Sequence, residues 1–89
     1  MTIRDVTFTG HAEKKIGILR SHGVILDKET VKNTVINPDA TFKSRKGRVI
    51  AQKRLDEKHV LRVIYEQEGE RARVITFYPG RRSRYEIEL

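Results

Sequence analysis

The feature that most constrains this chain is a change of hydrophobic period near residue 40. Before it, Ala12, Ile16 and Leu19 recur at helical spacing, as do Val31 and Val35. After it, apolar and polar residues alternate with period two through segments at about 40–45, 48–55, 59–66 and 71–78, the spacing of strands. Ile3, Val6 and Phe8 suggest one further, imperfectly alternating strand at the start. The expected class is α+β.

Local signals place the boundaries. Thr9 can cap a helix over residues 10–22 with its hydroxyl, and Gly23 supplies a left-handed stop. Gly17 inside that helix weakens it by about 1 kcal/mol relative to Ala. Val24-Ile25-Leu26 leads into Asp27, an N-cap with Glu29 in the first turn, and Asn37-Pro38 ends the second helix. The breaks Arg45-Lys46-Gly47, Asp56-Glu57-Lys58 and Glu68-Gly69-Glu70 are short enough for antiparallel hairpins. The segments at 59–65 and 74–78 are apolar on both faces and should be central, with Pro79-Gly80 closing the last strand. The expected order is β-α-α-β-β-β-β: one domain over residues 1–89, an antiparallel sheet with two helices packed on one face. At 89 residues there is room for one modest core.

Charge narrows the function. The formal net charge is +7, and the bases are unevenly placed. Residues 43–62 hold Lys43, Arg45, Lys46, Arg48, Lys53, Arg54, Lys58 and Arg62 against Asp56 and Glu57. Residues 71–84 hold Arg71, Arg73, Arg81, Arg82 and Arg84 with no acid. A basic carboxy-terminal half points to a polyanionic partner. The chain has no Cys, which excludes disulfides, thiolate metal sites and cysteine nucleophiles. No apolar run exceeds three residues, the length of Val24-Ile25-Leu26, far short of a membrane span, and Met1 to Asp5 has no signal-peptide character. A cytoplasmic protein without a membrane partner is expected.

Arg62 is the most informative single residue. Strand alternation puts Leu61, Val63 and Tyr65 on one face and Val60, Arg62 and Ile64 on the other. If helices cover the first face, Arg62 either pairs with a glutamate or points from the open face toward a phosphate, which its planar fork matches. His11, at a helix start, is a candidate general base or a residue that packs and caps the first turn. His22 reads as a dipole-complementing residue and His59 as a surface group at a strand start. Three separated histidines without acids at ligand spacing imply no metal, and no cofactor is implied. Tyr78 and Tyr85, near the arginine run, either stack on splayed bases or pack in the core.

The stretch Leu61-Arg62-Val63-Ile64-Tyr65, a short acidic turn, Arg73-Val74-Ile75-Thr76 and then Gly80-Arg81-Arg82-Ser83-Arg84-Tyr85 resembles the carboxy-terminal half of RelE-type toxins. These are small basic ribonucleases of bacterial and archaeal toxin–antitoxin pairs. Phe8-Thr9-Gly10-His11-Ala12 and Asn37-Pro38-Asp39 resemble a related group of small domains thought to share that fold. By matched residues, the resemblance implies an RNA site lined by Arg62, by Arg82 or Arg81, and by Tyr85. RelE-type enzymes also carry lysines on the preceding strand, for which Lys53 and Arg54 are the alternatives here, with strand parity deciding. The implied activity is metal-independent cleavage of mRNA by its own 2′-hydroxyl, with Arg and Lys stabilising the phosphorane. Candidate catalytic residues are Arg62, Arg82, Tyr85, His11 and Lys53. Candidate RNA-binding residues are Arg54, Arg81, Arg84, Tyr78, Lys46 and Arg48. The implied partners are RNA, including ribosome-bound mRNA, and an acidic antitoxin protein, with a homodimer left open. Two other readings use the same basic face: a non-catalytic nucleic-acid- or protein-binding module, and a gyrase-poisoning toxin of the ParE branch.

Overall fold

The computed structural model describes residues 3–86; Met1, Thr2 and the tail acid Glu88 lie outside the described residues. In chain order the elements are β1 (Asp5–Phe8), α1 (Gly10–Ser21), α2 (Lys28–Ile36), β2 (Ala40–Lys43), β3 (Arg48–Arg54), β4 (His59–Glu68), β5 (Arg71–Arg81) and a one-turn helix, α3 (Arg82–Tyr85). A 3-10 turn at Arg45–Gly47 joins β2 to β3. The fold is α+β. The series expected from the sequence is present and is extended by α3.

Both long helices start where capping chemistry predicts. The Thr9 hydroxyl accepts the Ala12 N–H at 3.2 Å, and the Asp27 carboxylate accepts the N–H and hydroxyl of Thr30, each at 2.8 Å. The Thr30 backbone N–H is the first cause holding the Asp27 carboxyl below its ordinary range. Gly23, at φ 82°, takes the left-handed conformation that ends α1.

The five strands lie in the order β1-β5-β4-β3-β2. Neighbours joined by short turns pair antiparallel, but β1 pairs parallel to β5, with Val6 opposite Ala72 and Phe8 opposite Val74. The wholly antiparallel sheet expected above is therefore corrected to a mixed one. A hairpin forces its strands antiparallel. β1 has no hairpin: α1 and α2 carry the chain from it, at one edge, to β2 at the other.

Both helices add to one core on one side of the sheet. Ala12 from α1 and Val31 and Val35 from α2 cluster with Ala51, Leu61, Val63, Tyr65, Ala72, Val74 and Phe77. An irregularity in the β4–β5 ladder, where Ile64 faces Thr76 but Tyr65 faces Val74, leaves Ile75 extra and breaks the alternation of β5. Val74 and Phe77 can then both be fully buried. Pro79 and Gly80 do not close β5 as expected; they pair with Leu61 and Val60 inside it. Proline is tolerated there because β1 covers β5 only as far as Val74, leaving an outer edge with no ladder to complete.

Candidate nucleic-acid interface

The register assembles one row across the open face of the sheet. Arg62 lies between Gln52 of β3 and Tyr78 of β5, and Ala40 of β2 follows Gln52. Period two turns the neighbours of Arg62, Leu61 and Val63, into the core, so Arg62 points away from the helices. Its Nε donates to the Tyr78 hydroxyl at 3.0 Å and its Nη1 donates to Gln52 Oε1. Gln52 is itself buried, and its Nε2 donates to the backbone oxygen of Tyr85 at 3.4 Å.

Three aromatic rings surround this guanidinium. Its central carbon lies 4.3 Å from the centre of the Tyr85 ring, 5.5 Å from Phe42 and 6.0 Å from Tyr78. Guanidinium–aromatic contacts at these distances are attractive, and more so when water is partly excluded. Tyr85 comes this close because residue 80 is glycine. A β-carbon at Gly80 would run into the Tyr85 ring.

Three neighbouring arginines of this face, Arg48, Arg54 and Arg82, are held by carboxylates, whereas Arg62 is held only by neutral groups. Glu86 joins Arg54 Nε at 2.8 Å to Arg82 Nε at 2.6 Å. The hydrogen bond from Arg54, then that from Arg82, holds the Glu86 carboxyl below the usual range. Arg48 pairs with Glu66 at 3.3 Å. Arg62 is in no ion pair among the described residues.

The candidates from the sequence divide accordingly. Arg62, Tyr78 and Tyr85 come together, Arg54 and Arg82 are linked beside them through Glu86, and Arg84 lies 5.6 Å from the Tyr85 ring. Parity separates Lys53 from Arg54. Arg54 lies on the open face, while the Lys53 ammonium donates to the Asn37 carbonyl at 2.8 Å and pairs with Asp39 at 3.7 Å, against the end of α2. Lys53 is therefore outside the Arg62 group. His11 is exposed in the first turn of α1, and its side chain makes no hydrogen bond or ion pair with these residues. Lys46 sits exposed in the 3-10 turn with φ 61°. Arg81 lies opposite His59 at the end of the sheet, past the row.

Four members of the arrangement were not singled out from the sequence. Gln52 and Phe42 become visible only with the β2–β3–β4 register. Glu86 meets Arg54 and Arg82 only because α3 folds it back over the sheet. Lys15 reaches from α1 to the edge of β5, where its ammonium donates to the Thr76 hydroxyl at 3.0 Å and lies 5.9 Å from the Tyr78 ring centre. Among the described residues no group of His, Asp or Glu side chains is arranged to hold a metal ion, and no helix is long and apolar enough to cross a membrane.

Comparison of the chain with protein-family models, with curated proteins and with solved structures returned no match.

Proposed function

We propose that this chain binds single-stranded RNA across the open face of its sheet and cleaves it without a metal, as the mRNA-degrading, RelE-type toxin of a cytoplasmic toxin–antitoxin pair. One observation carries the reading: Arg62 is fixed at the centre of that face by neutral acceptors and aromatic rings, with no carboxylate paired to it among the described residues. A guanidinium remains charged at any physiological pH, and its unused N–H groups suit phosphate oxygens. Tyrosine faces beside a cation are the usual means of holding unstacked bases.

In the step proposed, the 2′-oxygen forms a bond to the adjacent phosphorus as the bond to the 5′-oxygen breaks. The products are a 2′,3′-cyclic phosphate and a 5′-hydroxyl. The 2′-hydroxyl gives its proton to a base and the departing 5′-oxygen gains one. Arg62 stabilises the charge that gathers on the phosphorane, and it is oriented beforehand by Tyr78 and Gln52. An acidic antitoxin would neutralise the same basic surface.

The test is cleavage of a labelled mRNA fragment in the presence of a chelator, beside a binding measurement on the same RNA. Arg62→Ala should slow cleavage by about 100-fold or more while weakening binding much less. Arg62→Lys, which keeps the charge but loses the fork, should also be slow. Cleavage unaffected by either variant overturns the assignment of Arg62. RNA that is bound but left intact by the wild type favours the non-catalytic binding module.

A further inference from the structure

A second cationic site lies at the end of the sheet, beyond the Arg62 row. The turn joining β3 to β4 and the strand-to-helix junction of β5 and α3 flank a half-open cavity of about 340 Å³ lined by Glu57, Lys58, His59, Arg81, Arg82 and Ser83. Its walls are tied together. The Arg82 N–H donates to the Lys58 carbonyl at 2.8 Å, and Arg82 Nη1 donates to the Glu57 carbonyl at 2.8 Å. Leu55 N–H donates to the His59 carbonyl at 2.9 Å and closes the turn.

His59 is oriented within this frame. The Asp56 carboxylate accepts the backbone N–H groups of Lys58 and His59, each at 2.8 Å, and lies 3.0 Å from His59 Nδ1. A carboxylate only accepts, so Nδ1 carries the proton in that contact and Nε2 is the ring nitrogen left for a ligand. The ionised groups facing the imidazole are Asp56, Glu57 and Lys58 from the turn and Arg81 and Arg82 from the junction. Asp56 is occupied with the turn and Arg82 with Glu86, whereas Lys58, Arg81 and the one opposing carboxylate, Glu57, are in no ion pair among the described residues.

We propose that this cavity binds a phosphate monoester, with Lys58 and Arg81 compensating its charge and His59, protonated on both ring nitrogens in the complex, donating from Nε2 to a phosphate oxygen. A monoester is favoured over an internal phosphodiester because it offers three terminal oxygens to the Lys58, His59 and Arg81 donors of one cavity, where a phosphodiester offers two. The ligand is a nucleotide or the phosphorylated end of an RNA chain. The site shares Arg82 with the open face but needs neither Arg62 nor Tyr85, and its test does not depend on cleavage.

The experiment follows the imidazole Cε1–Hε1 resonances of His11, His22 and His59 at constant pH and ionic strength, while phosphate replaces chloride. Uridine 5′-monophosphate and a short RNA ending in either a phosphate or a hydroxyl are the further ligands. The expected result is a saturable shift of His59 alone with inorganic phosphate, the nucleotide and the phosphorylated RNA. Arg81→Gln, whose exposed side chain leaves the fold intact, should weaken each affinity about tenfold, the scale of one charge-assisted hydrogen bond. A response to phosphate and the nucleotide but not to the phosphorylated RNA would restrict the site to small ligands, a monoester still. Equal shifts of all three histidines, no shift of His59, or an equal response to the hydroxyl-ended RNA would each overturn the proposal.

Discussion

The Tyr85 ring lies over the Arg62 guanidinium, 4.3 Å from ring centre to central carbon, although one residue belongs to β4 and the other to the helix that follows β5. The ring contributes a face and excludes water; Gln52 holds the Tyr85 backbone in place. Tyr85→Ala should therefore weaken binding of single-stranded RNA by about 1–3 kcal/mol, the scale of one base–aromatic stack. Tyr85→Phe should stay near wild type. Fluorescence anisotropy with a labelled oligonucleotide measures both, and an alanine variant with unchanged affinity refutes the role.

Gly80 offers an independent approach to the same contact. Its missing side chain is the space that the Tyr85 ring fills. Gly80→Ala should displace the ring from Arg62 without adding or removing a charge, so RNA affinity should fall as in Tyr85→Ala. The aromatic-ring NMR signals of Tyr85 should move in the same variant, and unchanged signals would mean that the ring is not seated there.

The Glu86 bridge predicts an acid-sensitive step. Its folded carboxyl titrates below the ordinary glutamate value, about 4.3 in an unfolded chain, because Arg54 and then Arg82 hydrogen-bond the charged form. A lowered folded value means that the stabilisation is fully present above the unfolded value and is lost as pH falls through the folded one. The Nε–H resonances of Arg54 and Arg82 should hold steady from neutral pH to about 4.3 and move below it. Glu86→Gln should remove that transition.

Gly17 tests the helix accounting. It is exposed in α1, its φ is not in the left-handed region, and a β-carbon there would meet nothing within 4 Å. Gly17→Ala should stabilise the protein by about 1 kcal/mol, which raises Tm by roughly 4–8 °C in a domain of this size. An unchanged or lowered melting temperature would show that α1 contributes less to the fold than its packing on β5 implies.

Much of the architecture was legible because it is local. The Thr9 and Asp27 caps, the Gly23 stop and the short turns each act within a few residues, and period two identified Arg62 as opposite in face to Leu61 and Val63 before any pairing was known. The parallel β1–β5 pair and the passage of β5 through Pro79 and Gly80 were not legible, since both follow from which strand ends up at an edge. Lys53 and Arg54 could not be told apart by residue type; only the register sends one to α2 and the other to the open face.

The sequence by itself determined two capped helices, a set of alternating strands and a basic half with one arginine inside an apolar strand, because capping, turn chemistry and side-chain alternation are short-range. Only the tertiary structure decided what surrounds that arginine. Phe42, Gln52, Tyr78 and Tyr85 come from four different elements and meet Arg62 through the strand register and the turn of α3 back over Gly80. Such contacts depend on distances between segments far apart in the chain, which no local pattern encodes.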